Sequence, residues 1–269
     1  MTIKAMAFDI DGTLVPRNCN NMSQKTREVL ENLKKKNYPL VLITSRSFYE
    51  MKLLDKTFFD LFDYIVISTG TLIFNKQTLI QKHILRKEIF MQLVHYLEKN
   101  NIMYGYSRND FEFYYSQEAS AELQVKYSAL FSQDYQIRKL EMDDEVIDFI
   151  YLLEDSQINE LHNFVNEHIE LCDFKIHGQV KPAGINKGFG LREVAKQLQL
   201  KPSDFLVFGD GTNDISMFQE AGLSVAMANG SEEAKKHAKL ICASDDNEGV
   251  ACFIEDWLKG DINDKNCIF

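Results

Sequence analysis

The segment Phe8-Asp9-Ile10-Asp11-Gly12-Thr13 decides the fold, because it places two carboxylates where an apolar run ends. The run 4–8 predicts a buried β-strand, and parallel α/β sheets bind ligands where such strands end. In an extended backbone Asp9 and Asp11 point the same way, and two close carboxylates need a cation between them or a shared proton. The segment therefore predicts a carboxylate nucleophile beside a second carboxyl group, with room for a hard metal ion. The alternative is a strand-to-loop turn with solvated, inert acids.

Composition places the chain among globular proteins that do not act on nucleic acids. The 269 residues are 45% hydrophobic and 26% charged, and the net charge of −10 argues against the basic face of a nucleic-acid binder. No apolar run reaches the roughly 18 residues of a membrane span. The five cysteines follow no zinc or disulfide spacing, which predicts reduced thiols and a cytoplasmic location. We therefore expect a small-molecule partner, without nucleic acid or membrane.

A second predicted strand ends in hydroxyl side chains. Residues 24–36 show helical periodicity with Ser23 as a plausible N-cap, and the apolar run 39–43 then predicts a strand that leads to Thr44 and Ser45. A hydroxyl beside free backbone N–H groups at a strand-to-helix junction makes an anion site. Thr44 is therefore a candidate phosphate ligand, and the alternative is that either hydroxyl caps the following helix.

The middle of the chain, residues 83–182, follows a different pattern. Helical and strand patterns alternate there without strict βαβ order, which predicts a separate α+β module. The predicted elements are a helical stripe over 89–97, a hairpin of 102–107 and 111–116, a helix over 118–131, and strands over 146–153 and 171–177 with a helix between them. We expect the tyrosines of the hairpin to be sheet residues that pack on helices. The alternative is that one or two of them, together with Arg108, contact the substrate and determine specificity. These tyrosines are Tyr104, Tyr106, Tyr114 and Tyr115.

The α/β pattern then returns and ends in a second group of acids. Lys187 opens a predicted helix, where the helix dipole disfavours a cation, so it faces an anion or carboxylates, or else lies in solvent. The predicted strand 205–208 leads to Asp210 in a loop, and Asp214 lies in the first turn of the next helix. Two predicted strand tips thus carry acids.

These segments resemble the four motifs of the haloacid dehalogenase-like hydrolases, in the order typical of that family. The segment 9–13 resembles the first motif, and its second Asp is typical of the phosphatase branch. Thr44 matches the second motif, Lys187 matches the third, and Gly209-Asp210-Gly211-Thr212-Asn213-Asp214 resembles the fourth. The chain is most similar to the Cof-like subgroup, although Thr69 stands where that subgroup usually has Asn.

The resemblance implies the fold class and the domain organisation. We expect an α/β protein with a Rossmann-like core around a parallel sheet, formed by residues 1–82 and 183–269. An α+β cap domain would be inserted at residues 83–182, which is the segment that the change of pattern already separates.

The resemblance also implies a catalytic pair and a metal. Asp9 would attack phosphorus and form an aspartyl-phosphate, and Asp11 would protonate the leaving alcohol and then activate water. The implied cofactor is Mg²⁺, held by Asp9, by the main-chain carbonyl of Asp11 and by Asp210.

The remaining motif residues are implied to bind the transferred group. Thr44, Lys187 and Asn213 would hold the phosphoryl oxygens. Asp214 would support Lys187 or a metal-bound water from behind.

The implied function is a Mg²⁺-dependent phosphatase that hydrolyses small phosphorylated metabolites, such as sugar phosphates. A phosphomutase would share every core motif and would differ only in the acceptor of the phosphoryl group. A non-enzymatic protein that binds phosphorylated metabolites is a weaker alternative, because it need not keep these acids and Lys187 together. An ATPase is disfavoured, since the sequence has no Gly-x-x-x-x-Gly-Lys loop.

Overall fold

A computed structural model describes most of the chain. The described residues are 2–17, 19, 21–52, 54–109, 112–128, 130–131, 136–141, 144–157, 168–173 and 178–262. The chain divides into two compact units, the first made of Met1–Ser45, Lys52–Gln81 and Asn186–Phe269, and the second of Arg46–Met51 and Lys82–Ile185. The assignment of residues 1–82 and 183–269 to a catalytic core and of 83–182 to a cap concerns function and stays a prediction.

The described residues form strands and helices that are numbered here in chain order. The strands are β1 (Ala5–Phe8), β2 (Leu40–Ile43), β3 (Tyr64–Ile67), β4 (Leu72–Asn75), β5 (Thr78–Lys82), β6 (Met103–Arg108), β7 (Phe113–Tyr115), β8 (Gln136–Ile137), β9 (Val146–Leu152), β10 (Ile169–Asp173), β11 (Gly178–Pro182), β12 (Phe205–Gly209), β13 (Leu223–Met227) and β14 (Leu240–Cys242). The helices are α1 (Gln24–Lys35), α2 (Phe48–Met51), α3 (Lys56–Phe59), α4 (Lys87–Lys99), α5 (Ala121–Lys126), α6 (Lys187–Gln197), α7 (Ile215–Glu220), α8 (Glu232–His237) and α9 (Gly249–Lys259).

The first unit is built on a mostly parallel sheet, as predicted. Its strand order is β14-β13-β12-β1-β2-β3-β4-β5, and β1 lies near the middle with parallel partners on both sides. All four residues of β1 are buried, as are those of β2 and β3, which is the pattern of parallel strands covered on both faces. The hairpin of β4 and β5 extends one edge of the sheet with an antiparallel β3–β4 pair. The sequence analysis missed this hairpin.

Helix ends in this unit follow local capping signals. Ser23 accepts a hydrogen bond from the Thr26 N–H and starts α1, and Ser231 accepts one from the Ala234 N–H and starts α8. Asn186 caps α6 through its side chain, which accepts from the Phe189 N–H. None of the described helices combines the length and apolarity that a membrane crossing requires.

The second unit has its own sheet and core. The order is β10-β11-β9-β6-β7-β8, and β6 and β7 form the predicted antiparallel hairpin, although Asp110 and Phe111 of its turn lie outside the described residues. Tyr104 and Tyr106 are fully buried in a cluster with residues of α4. The rings of these tyrosines therefore pack on a helix, as predicted.

Two elements of the second unit differ from their predictions. The predicted helix 118–131 is the shorter α5, whose start lies at Ala121 and not at residue 118 because the Ser120 hydroxyl accepts from the Leu123 N–H. The predicted strand 171–177 is β10, which begins at Ile169 and pairs with β11, and β11 was not predicted. Residues 174–177, and residues 158–167 of the predicted helix between these strands, lie outside the described residues.

Candidate active site

Three neighbouring strand ends bring the predicted motifs together. Phe8 of β1 lies opposite Phe208 of β12 and Leu42 of β2 in the parallel register. The residues that follow these strands therefore lie at the same edge of the sheet. Asp9, Thr44 and Asp210 are those residues, and all three are buried.

Lys187 joins the first and fourth motifs. Its Nζ lies 2.6 Å from Asp9 Oδ1 and 2.6 Å from Asp214 Oδ1, and its side chain is 0% exposed. Gly188 lets the start of α6 approach α7, since a Cβ at this position would lie 2.4 Å from the Ser216 carbonyl oxygen. Lys187 is therefore not a solvated lysine. Its position at the start of a helix, which the helix dipole disfavours, is explained by its contacts with the two carboxylates.

Asp214 organises the loop that carries Asp210. Its Oδ2 accepts hydrogen bonds from the backbone N–H groups of Asp210 at 2.9 Å and Gly211 at 2.8 Å, while Oδ1 accepts from Lys187. Both carboxylate oxygens are thus engaged by protein donors. Asp214 is better placed to position Lys187 and the loop than to hold a metal directly.

Burial makes this cluster depend on positive charge. Burial raises the pKa of Asp9 well above its ordinary value, although Lys187 pulls it in the opposite direction. Burial and the adjacent Asp214 raise the pKa of Asp210 to about 6, despite a hydrogen bond from Arg17. Burial by itself lowers the pKa of Lys187, but Asp214 and Asp9 outweigh it and raise that pKa. The three acids carry more negative charge, when ionised, than Lys187 and Arg17 neutralise, so a further cation would stabilise their ionised forms.

The donor set fits a hard divalent cation. Asp9, Asp210 and Asp214 each offer a carboxylate oxygen, and these oxygens lie within 4.8 Å of one another. Among the described side chains, only Lys187 donates to the Asp9 carboxylate and only Arg17 donates to that of Asp210. One oxygen of Asp9 and one of Asp210 therefore accept no hydrogen bond from the described side chains, and oxygen ligands without His or Cys favour Mg²⁺ over a softer metal.

The second predicted acid of the first motif has a different environment. Asp11 is exposed, whereas Asp9 is buried. It lies in a tight loop in which the Val15 N–H donates to the Ile10 carbonyl, and its charge acts on Asp9. An exposed carboxyl group beside a buried one can exchange protons with solvent and substrate.

The predicted phosphate ligands meet at the tip of β2. Thr44 is 1% exposed, and the Asn213 Nδ2 donates to Ser45 Oγ at 2.7 Å. Neither Thr44 nor Ser45 caps the helix that follows, because Ser47 and Glu50 cap α2 through reciprocal side-chain-to-backbone hydrogen bonds. The alternative role for Thr44 as a helix cap is therefore wrong.

Two residues near the site were missed by the sequence analysis. Arg17 Nη2 lies 2.6 Å from Asp210 Oδ2, and Asn229 Nδ2 donates to the Gly12 carbonyl at 2.8 Å. Asn229 also accepts from the Asp245 N–H at 2.9 Å, so it ties the first-motif loop to the loop after β14. Neither contact has a local signal, because the partners lie 193 and 217 residues apart in the chain.

Comparisons with known proteins agree with the motifs. A family model described as haloacid dehalogenase-like hydrolase matches residues 6–254. Phosphoglycolate phosphatase of Methanosarcina mazei is 32% identical over 141 residues, which are 51% of this chain and 62% of that protein. Phosphoglycolate phosphatase of Methanosarcina acetivorans is 39% identical over 87 residues, which are 32% of this chain and 38% of that protein. The chain thus spans less than two thirds of the length of these curated relatives.

Solved structures match over nearly the whole chain. The HAD subclass IIB sugar phosphatase BT4131 has a TM-score of 0.79 at 24% identity, covering 96% of this chain and 100% of that one. TM0651 from Thermotoga maritima has a TM-score of 0.81 at 22% identity, covering 94% of this chain and 97% of that one. At these identities the likeness shows a shared fold. On the family match and the shared fold together, the chain belongs to the haloacid dehalogenase-like hydrolases, in the Cof-like subgroup that its motifs predict.

Proposed function

We propose that this protein is a Mg²⁺-dependent phosphatase that hydrolyses small phosphorylated metabolites, such as sugar phosphates, through an aspartyl-phosphate. The observation that carries the proposal is the buried contact of Lys187 with both Asp9 and Asp214 at the strand tips. Burying a lysine and three acids costs desolvation free energy, and costly arrangements of this kind cluster at functional sites.

Asp9 is the nucleophile in this proposal. Its Oδ1 is fixed by the Lys187 ammonium, which leaves Oδ2 to attack phosphorus along a defined direction. A bond forms between this oxygen and phosphorus while the bond from phosphorus to the alcohol oxygen breaks. The product is an acyl phosphate on Asp9, which water then hydrolyses to regenerate the carboxylate.

Asp11 transfers the protons in both steps. It donates a proton to the leaving alcohol oxygen and later takes one from the attacking water, so that one carboxyl group serves both half-reactions. Its exposed position suits this role, since the group must meet both substrate and solvent. Gly12 follows it with φ +78, a conformation that a side chain disfavours, and so turns the loop sharply behind the acid.

The metal site uses Asp9, Asp210 and the main-chain carbonyl of Asp11. Bound Mg²⁺ would neutralise the carboxylates and the phosphoryl oxygens, which lets two anions approach each other. Lys187, Thr44 and Asn213 would bind the phosphoryl group, and Asn213 is kept at the tip of β2 by Ser45.

The two compact units suggest a division of labour. We assign catalysis to the first unit, because it contains every motif residue, and substrate selection to the second unit as a cap domain. The matched relatives bear the names phosphoglycolate phosphatase and sugar phosphatase, so both a phosphorylated hydroxy acid and a phosphosugar belong among the substrates to be tested. The four cysteines among the described residues are free thiols, and on that ground we place the enzyme in the cytoplasm.

A screen for phosphate release from a panel of phosphorylated metabolites tests the proposal. We expect Mg²⁺-dependent release by the wild type without any bisphosphate activator, which separates a phosphatase from a phosphomutase. Asp9→Asn should abolish turnover, whereas Asp256→Asn on the exposed face of α9 should not change it. Mass spectrometry of the acid-quenched reaction should find a phosphoryl adduct on the peptide that carries Asp9. Turnover by Asp9→Asn within tenfold of the wild type would refute the assignment.

A further inference from the structure

Arg17 connects the surface to the buried acids. Its side chain is 57% exposed, yet its Nη2 lies 2.6 Å from Asp210 Oδ2, on a side chain that is only 4% exposed. The hydrogen bond to Asp210 is the main cause of the raised pKa of Arg17, and the charges of Asp245 and Asp11 add to it. The guanidinium thus reaches from the surface to one buried acid, and the charges of two further acids act on it.

The first-motif loop is shaped to admit this contact. A Cβ on Gly12 would lie 2.4 Å from Asp210 Oδ2 and 3.2 Å from Arg17 Nε. Any side chain at position 12 would therefore displace the ion pair, in addition to the strain of its positive φ. Because Gly12 has no side chain, the loop that contains Asp11 leaves room for Arg17 to contact Asp210.

On the proposed function, Asp210 is a ligand of Mg²⁺ through Oδ1, whereas Arg17 holds Oδ2, so two positive charges would share one carboxylate and oppose each other. Mg²⁺ requires ligand oxygens at about 2.0–2.1 Å in nearly ideal octahedral geometry. A guanidinium bonded at 2.6 Å constrains the same carboxylate and places a positive charge beside the incoming cation.

We infer that Arg17 is a counter-ion of Asp210, which stabilises the acidic cluster when no metal is bound and whose charge opposes the binding of Mg²⁺ to the same carboxylate. The charges of Asp11 and Asp245 also act on the guanidinium and favour its position beside Asp210. Arg17 is therefore a positioning residue that sets the metal affinity and does not itself touch the reacting atoms.

Isothermal titration of metal-stripped protein with Mg²⁺ measures the competition directly. Arg17→Gln should bind Mg²⁺ about two- to fivefold more tightly than the wild type, the range expected for losing an ion pair whose cation is largely exposed. Arg17→Lys keeps the charge on a shorter side chain and should give an intermediate affinity. Arg27→Gln is the matched control: it removes the same charge from α1, where the Arg27 guanidinium donates hydrogen bonds to Thr57.

Thermal unfolding with and without Mg²⁺ separates a competitor from a fixed structural partner. In EDTA, Arg17→Gln should melt below the wild type, because the acids lose a counter-ion; at saturating Mg²⁺ this deficit should disappear. An unchanged or weaker Mg²⁺ affinity in Arg17→Gln, or a deficit that persists at saturating Mg²⁺, would overturn the inference. Asp210→Asn tests the metal site itself: if this variant binds Mg²⁺ as tightly as the wild type, the proposed site fails, and a wild type that binds no Mg²⁺ overturns both proposals.

Discussion

Replacing Lys187 with methionine removes the charge that holds the acidic cluster together. The methionine keeps most of the buried apolar volume, so the change isolates the ammonium group. In the wild type this group contacts Asp9 and Asp214 at 2.6 Å each, and the exposed fractions of the three side chains are 0%, 6% and 0%. Two buried carboxylates therefore lose their shared cation in the variant.

The magnitude follows from this burial. Removing one partner of a buried ion pair costs about 3–5 kcal/mol in the free energy of unfolding, because the other charge is left uncompensated. For a chain of this size such a loss lowers the melting temperature by roughly 6–20 °C. Lys196→Met in the same helix is the matched control, since Lys196 is 70% exposed and pairs with Glu193 at the surface. This control should cost about 0.2–1 kcal/mol.

The single tryptophan provides an assay for the unit that contains the site. Trp257 lies in α9 and packs edge-to-face on Tyr38 at 5.8 Å between ring centroids, so its fluorescence reports unfolding of the first unit. Urea unfolding in EDTA would give the free energies of the wild type, Lys187→Met and Lys196→Met. Added Mg²⁺ should restore part of the loss in Lys187→Met, because the metal brings positive charge back to the acids.

A loss for Lys187→Met that lies within 1 kcal/mol of the loss for Lys196→Met would refute the reasoning. It would mean that the buried acids are protonated in the metal-free protein and do not need the ammonium.

Three further predictions concern other groups. Asp11→Asn should still bind Mg²⁺, yet lose about 10²–10⁴-fold in turnover, and the loss in the first step should be smaller for an aryl phosphate, whose leaving group hardly needs a proton. Rapid mixing of the variant with an aryl phosphate should show a burst and then a slow phase. Loss of Mg²⁺ affinity without a burst would contradict the proton-transfer role. Thr69 has φ 57, a left-handed conformation that a β-branched side chain disfavours but Asn tolerates. Thr69→Asn should therefore raise the free energy of unfolding by about 1 kcal/mol, which thermal unfolding would measure. A lower melting temperature would count against this. Burial raises the pKa of Cys242 from its ordinary value to about 12. The folded state then keeps a proton that the unfolded state loses, so stability should fall as pH rises above about 9, by up to about 1.4 kcal/mol per pH unit. Cys242→Ala should lack this alkaline loss in pH-dependent urea unfolding, and identical pH profiles for both proteins would refute it.

Local sequence signals were sufficient for much of the first unit. Buried apolar runs predicted β1, β2 and β12, because a strand covered on both faces must be apolar throughout. The helix start at Ser23 was also predicted, since an N-cap accepts a hydrogen bond from a backbone N–H within three residues of itself.

The helices and strands of the second unit were predicted less accurately, for a physical reason. The start of α5 depends on the Ser120 hydroxyl, which competes with the propensity of residues 118–120 to extend the helix. The strand β11 was not predicted, because it is defined by its pairing with β10 in the folded sheet, and pairing depends on contacts beyond the local sequence pattern.

The sequence by itself determined that acids end two strands and that a lysine opens a helix, because each of these features is a pattern of a few consecutive residues. Only the tertiary structure decided what those groups contact. The parallel register of β1, β2 and β12 brings Asp9 and Asp210 to one edge of the sheet, and α6 then places Lys187 between Asp9 and Asp214. The contact of Arg17 with Asp210 is likewise decided at this level, since hydrogen bonds between residues 193 positions apart arise from the folded backbone and from no local pattern.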